Sequence, residues 1–143
     1  MLRRIAIMLL RSKMVRSKTF TGVDGPYLTI YTVLRIRSLS LCVHHFHRSD
    51  EDPDCHCHPF NYFSFIVSGS YEEFLIDGGS IIRRQFSSAY RQATHKHRVQ
   101  LLSATCWTIC VKHDVDRQWG FWPDNQYIHW EEYLRSKGLE PLT

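Results

Sequence analysis

The stretch His56-Cys57-His58-Pro59-Phe60-Asn61-Tyr62-Phe63-Ser64-Phe65-Ile66-Val67-Ser68-Gly69 limits what this chain can become more than any other. Two histidines stand one residue apart. A nearly unbroken aromatic and aliphatic run follows, and it stops at Ser68-Gly69-Ser70. In a strand, residues i and i+2 project to one face. His56 and His58 would then point the same way, about 7 Å apart along the strand. Two imidazoles on one wall make half of a metal site, which a third ligand on a neighbouring strand completes.

The rest of the chain reads as short strands separated by turn signals. Tyr27 to Arg37 alternates, with Leu28, Ile30, Thr32, Leu34 and Ile36 on one face. Leu39 to His47 is a second strand, and Arg48 to Asp54 an acidic loop leading to the histidines. Tyr71 to Ile76 and Ser80 to Phe86 flank the hairpin turn Asp77-Gly78-Gly79. His95 to Leu102 and Cys106 to Val111 follow, then an extended piece from Arg117 to Trp122. Gln126 to Lys137 reads as a terminal helix, with Asp124 or Asn125 as N-cap and Gly138 just beyond its end. Leu2, Ile5, Leu9 and Ser12 give a rough helical face near the start, closed by the breaker cluster from Thr21 to Pro26. The 143 residues fit one domain. The expected division is a basic N-terminal helix and linker (1–25), an all-β barrel or sandwich (26–125), and a C-terminal helix and tail (126–143).

Composition narrows the class. Hydrophobic residues make up 43% and charged residues 22%, which excludes a disordered chain. The net charge of +4 argues for an anionic ligand. The basic residues are scattered and form no basic and aromatic stripe, so a nucleic-acid role is not expected. The longest apolar run near the start, Ile5 to Leu10, is far short of the ~20 residues that cross a membrane. The first 23 residues hold six Lys or Arg and no acid. That composition suits a transit peptide, but an amphipathic helix packing on the domain is the reading preferred here. Five Cys, an odd number, with Cys55 and Cys57 flanking a histidine, argue against a disulfide framework and for a reducing cytoplasm. Cys106 and Cys110 share strand parity and are expected to be buried thiols.

The histidine stretch resembles the first motif of the cupin superfamily: His-x-His, three or four residues, Glu, six residues, Gly. Tyr62 stands where the Glu would be, and Gly69 closes the spacing. Three-His cupins lacking that Glu occur in the thiol dioxygenase branch. Thr94-His95-Lys96-His97-Arg98-Val99 begins the second candidate motif, with His97 39 residues after His58. Pro26-Tyr27-Leu28, Phe46 to Asp52, His56 to Phe60, Ser68 to Glu73, Cys106 to Ile109 and Arg117 to Phe121 resemble segments of small uncharacterised cupin-like proteins of bacteria and phages. The likeness runs over about residues 26 to 130, with Cys57 in place of an Asp and Phe60 in place of a Trp.

The resemblance implies a double-stranded β-helix, or jelly roll, holding one divalent metal through His56, His58 and His97, with His95 as the alternative third ligand. Fe(II) is favoured over Zn, Mn or Ni. The activity implied is dioxygenase-like chemistry on a small, anionic substrate. A metal-dependent isomerase or hydrolase, or a non-catalytic cupin that binds a ligand or a partner, are the alternatives, and the chain could act as a homodimer.

Three further residues are candidates for the chemistry. Tyr62 shares parity with His58 and would line the cavity, donating a hydrogen bond without ligating. Glu73 would be a fourth ligand or an acid/base. Arg98, with Arg83, Arg84 and Arg91, would bind a carboxylate or phosphate. Asp50, Asp52 and Asp54 would orient imidazole N–H groups. A zinc knot built from His44, His45, His47, Cys55, His56, Cys57 and His58 fits no standard ligand spacing.

Overall fold

The structure is a computed structural model, and it describes residues 15–139. Eleven strands and one helix are present among them: β1 (Arg16–Gly22), β2 (Gly25–Ile36), β3 (Leu39–Phe46), β4 (Phe60–Ser68), β5 (Tyr71–Leu75), β6 (Ser80–Arg83), β7 (Ser88–Arg91), β8 (His97–Leu101), β9 (Cys106–Asp114), β10 (Gly120–Phe121), β11 (Ile128–His129) and α1 (Trp130–Ser136). A large sheet has the order β1-β2-β3-β9-β4-β7, and smaller sheets have the orders β6-β5-β8 and β10-β11. All named pairings are antiparallel. The apolar core lies between the large and small sheets, where Ile66 and Cys106 meet Tyr71 and Val99, with Phe46 and Leu101 packed against them.

The large sheet has two unlike faces, and a bulge in β2 decides which residues belong to which. Leu28, Ile30 and Thr32 pair with Phe46, His44 and Cys42 and share their inward face. The register then slips by one residue at Val33. A one-residue bulge reverses the alternation, so Leu34 and Ile36 pair with Leu41 and Leu39 on the outside. The single apolar face expected from Leu28 to Ile36 is therefore split, and Leu34 and Ile36 are exposed.

Other boundaries differ from the sequence reading for local reasons. β1 occupies residues assigned to the linker and completes the sheet edge beside β2. The helix expected around Leu2 to Ser12 lies outside the described residues. The terminal helix begins at Trp130, capped by the His129 ring accepting from the Glu131 N–H. It starts late because Pro123–Asn125 forms a 3-10 turn with Asp124 and Asn125 at positive φ, and because Ile128 and His129 are taken up pairing with β10. Gly138 closes the helix at φ 74°, where the sequence placed it. Gly69 turns β4 into β5 at φ 89°, and a side chain there would press on the Thr105 carbonyl.

Candidate metal centre

His56 and His58 precede β4 rather than lie within it. Pro59 has no N–H to continue a ladder, so the strand begins at Phe60. His56 instead forms a single antiparallel bridge to His97, the first residue of β8. Their backbones exchange two hydrogen bonds, 2.9 and 3.0 Å long. The His58 N–H donates to the Ala93 carbonyl at 3.2 Å, and its ring stacks on Phe60. The shared orientation expected of a strand thus comes from loop backbone anchored to β8.

The three imidazoles converge. One donor nitrogen from each of His56, His58 and His97 lies within 4.8 Å of the others. The Nε2 atoms of His58 and His97 are 3.0 Å apart. Tyr62 is buried and faces the same point, its hydroxyl 3.3 Å from His97 Nε2. Burial pushes its phenol well above the usual range, so it stays a neutral hydrogen-bond donor.

Behind His97 sits Glu73, fully buried. Its Oε1 accepts from His97 Nδ1 at 2.8 Å, from His95 Nε2 at 3.0 Å and from Arg91 Nε at 2.6 Å. Its Oε2 accepts from Arg91 Nη2 at 2.6 Å and from Arg83 Nε at 3.1 Å. Burial alone would raise the Glu73 pKa, but hydrogen bonds from His95, His97 and Arg91 together hold it far below the ordinary carboxylate range. An ionised carboxylate can only accept. The proton of His97 is therefore on Nδ1, and Nε2 keeps its lone pair toward His58 and Tyr62. Burial lowers His97 to about 4 despite Glu73, and burial, then the neighbouring histidines, hold His58 well below the ordinary imidazole range. At neutral pH both are uncharged, as metal ligands must be.

A second group of donors, Glu73, His95 and His97, shares the same carboxylate. That carboxylate already holds the Arg91 guanidinium in a two-point ion pair.

The arginine expectation needs correcting. Arg98 does not join the histidines. Along β8 it alternates with buried His97 and Val99, so it lies on the opposite face, with its guanidinium over the Phe74 ring at 4.6 Å. Arg91 is the arginine at the centre, bonded also to Ser64 and Tyr71, and the carboxylate it binds is internal. A buried Glu73 demands a cation, which is the signal that could have picked Arg91 from the four candidates. Of the acidic loop, Asp50 comes within 4.0 Å of His56 Nδ1 while accepting from the Val99 N–H at 2.7 Å. Asp54 accepts from the Tyr133 hydroxyl at 2.7 Å instead of an imidazole.

The sequence matches no family model, and no curated protein matches it. Solved structures do. A cupin-2 domain protein from Rhodospirillum rubrum superposes over 90% of this chain and 84% of its own, with 9% identity and a TM-score of 0.59. A conserved protein with a double-stranded β-helix domain from Klebsiella pneumoniae matches 72% of this chain and 89% of its own, with 15% identity and a TM-score of 0.55. FeII HppE matches 68% of this chain, with 14% identity and a TM-score of 0.59. The match spans only 56% of that longer protein. This chain has the cupin fold, a double-stranded β-helix.

Proposed function

We propose that the chain is a metal-binding cupin whose His56, His58 and His97 hold one divalent ion, and that it oxidises a small anionic substrate. The observation that carries the reading is the convergence of three imidazoles with a carboxylate fixing the tautomer of one of them. The donor set fits the group. The 3.0 Å between His58 Nε2 and His97 Nε2 puts two neutral imidazole nitrogens where one ion could be held by both. The rival group of Glu73, His95 and His97 would set an ion beside the Arg91 guanidinium, which already neutralises the carboxylate. Fe(II) is the favoured ion, supported by the likeness of fold to FeII HppE.

Bound there, Fe(II) would supply electrons and open coordination positions for dioxygen chemistry. The chain's own residues do the rest. Glu73 holds the His97 ring in place. Tyr62 presents an un-ionised hydroxyl beside the imidazole nitrogens, able to donate to a ligand oxygen. Phe60 walls His58, and the Lys112 ammonium lies over the Phe60 ring at 4.8 Å. Lys112 makes no salt bridge among the described residues and supplies the cation for an anionic substrate, the role the sequence offered to Arg98.

All five cysteines are free, and no described helix is long and apolar enough to cross a membrane. A reducing compartment such as the cytoplasm suits free thiols. The test of function is metal analysis of the protein purified without added metal, followed by oxygen uptake of the Fe(II)-loaded protein with small carboxylic acids and thiols. One ion per chain and substrate-dependent uptake are expected. Metal without uptake would reduce the reading to a binding cupin, and no metal would overturn it.

A further inference from the structure

A cavity of about 240 Å³ lies on the inner face of the large sheet, toward its β1 edge. Strand pairing gathers its residues. Arg16 and Lys18 stand opposite Thr32 and Ile30, which share the inward face with Cys42 and His44. Phe20 completes the β1 wall. Lys112 reaches in from β9, where it shares parity with buried Cys110 and Thr108.

Three cations thus line one cavity, and none of them makes a salt bridge among the described residues. The sequence leading into β1, residues 1–14, adds four Lys or Arg and no acid. Like charges gathered in one place repel one another, and an entering anion relieves that repulsion. Two hydroxyls stand among them. Thr32 is the register partner of Arg16. Ser40, the register partner of Lys112, is buried with its hydroxyl unpartnered among the described residues. A buried hydroxyl left unpaired is itself unfavourable. Inward charges also guard an edge strand against pairing with other chains. That accounts for Arg16 and Lys18 but not for Lys112, which stands on β9 in the interior of the sheet.

We propose that this cavity is a subsite for a phosphate-type dianion, the phosphate group of a small phosphorylated molecule. A guanidinium takes two phosphate oxygens at once, and ammonium groups add point charges beside it. A phosphate monoester is doubly charged above its second pKa of about 6, so it answers three cations better than a single carboxylate does. The volume falls below the ~300 Å³ at which pockets for drug-sized ligands begin, so it suits one such group. Lys112 also overlies the Phe60 ring that stacks on His58, and so belongs both to the cavity and to the surroundings of the histidine centre. Resting on the metal-centre reading for its use, the subsite narrows the anionic substrate to a phosphorylated one.

Calorimetric titration of the full chain, stripped of metal and at low salt, tests the site with inorganic phosphate and with glycerol 3-phosphate. One anion per chain is expected, with no heat from glycerol. Arg16→Gln with Lys18→Gln is expected to weaken binding about tenfold or more while the far-UV spectrum stays unchanged. Arg84→Gln with Arg135→Gln removes the same charge away from the cavity and is expected to bind as the wild type does. Binding of neither anion overturns the proposal. Equal losses in the two double variants overturn it as well, since the attraction would then be diffuse. Capture by vesicles containing phosphatidic acid without binding of glycerol 3-phosphate overturns it in favour of a membrane surface. Because the titrated protein carries no metal, a failed titration leaves the histidine centre standing, and a failed metal analysis leaves the subsite standing.

Discussion

Two histidine pairs in this molecule have the same spacing and opposite circumstances. His45 and His47 are separated by one residue, as His56 and His58 are. Their rings lie 4.0 Å apart. His45 stacks flat on Trp107 at 3.8 Å, and His47 Nε2 shares a 2.9 Å hydrogen bond with Thr29 Oγ1. Burial, then its neighbour His47, lowers His45 to about 4. Among the described residues neither meets a third ligating side chain. His56 and His58 meet His97, which arrives on another sheet with Glu73 behind it. The spacing makes two imidazoles neighbours, but a crossing strand and a carboxylate that fixes a tautomer make them a candidate centre.

The comparison breaks most sharply on metal content. His56→Ala with His58→Ala is expected to abolish stoichiometric binding while the far-UV spectrum stays all-β. His45→Ala with His47→Ala should keep it, and metal analysis of the two double mutants side by side decides. Equal loss in both would erase the distinction drawn here.

The next effect concerns the carboxylate behind His97, the third member of the inner group. Glu73→Ala leaves the Arg91 guanidinium, 3% exposed, without its partner. Stripping one member from a buried pair costs about 3–5 kcal/mol. Denaturant unfolding should show that loss, and the remaining folded protein should bind metal more weakly as His97 is released. Full stability would mean Arg91 finds another partner.

A further inward histidine, outside that group, sharpens the contrast through pH. His44 is buried with Nε2 lacking a partner among the described residues, and burial, then Lys112, lowers it to about 3. The unfolded chain takes up a proton below about 6.5 while the folded His44 refuses it. Its contribution is thus fully present above pH 6.5 and declines as pH falls toward 3, by about 1.4 kcal/mol per unit. Metal-free protein should show this acid-side slope in unfolding experiments, and His44→Leu should flatten it by one proton. An unchanged slope would place the proton uptake elsewhere.

The smallest effect is at Tyr62. Tyr62→Phe removes one hydroxyl and one long hydrogen bond, worth about 1 kcal/mol. Metal stoichiometry should stay intact and oxygen-dependent turnover or ligand affinity should change. Loss of the metal itself would make Tyr62 a ligand.

These experiments lean on residues that the sequence exposed to different degrees. The His-x-His spacing and the tyrosine in place of a glutamate could be read directly, but alternation along β4 accounts only for inward Tyr62, while the two histidines reach the same point from loop backbone. The strand pairs around Asp77-Gly78-Gly79 were equally plain. What stayed hidden depended on pairing. Val33 looks like any strand residue, and only its unmatched position opposite β3 makes it a bulge. Arg91 looks like Arg83, Arg84 and Arg98 until Glu73 is seen to bind Arg91 at two points and Arg83 at one. β7, Ser88–Arg91, has four residues and no apolar run, so it was missed until β4 was there to pair with it.

The bridge at His56 has an optical consequence. His56 pairs with His97 on one side and Phe121 on the other, so one residue ties β8 to the C-terminal segment. That segment carries Trp119, Trp122 and Trp130, three of the chain's four tryptophans. Trp119 stacks on Trp130, and Phe121 on Tyr133. An event that tightens or frees His56 is expected to reach those indoles through the Phe121 bridge, so native fluorescence is expected to gauge the histidine centre without label or substrate.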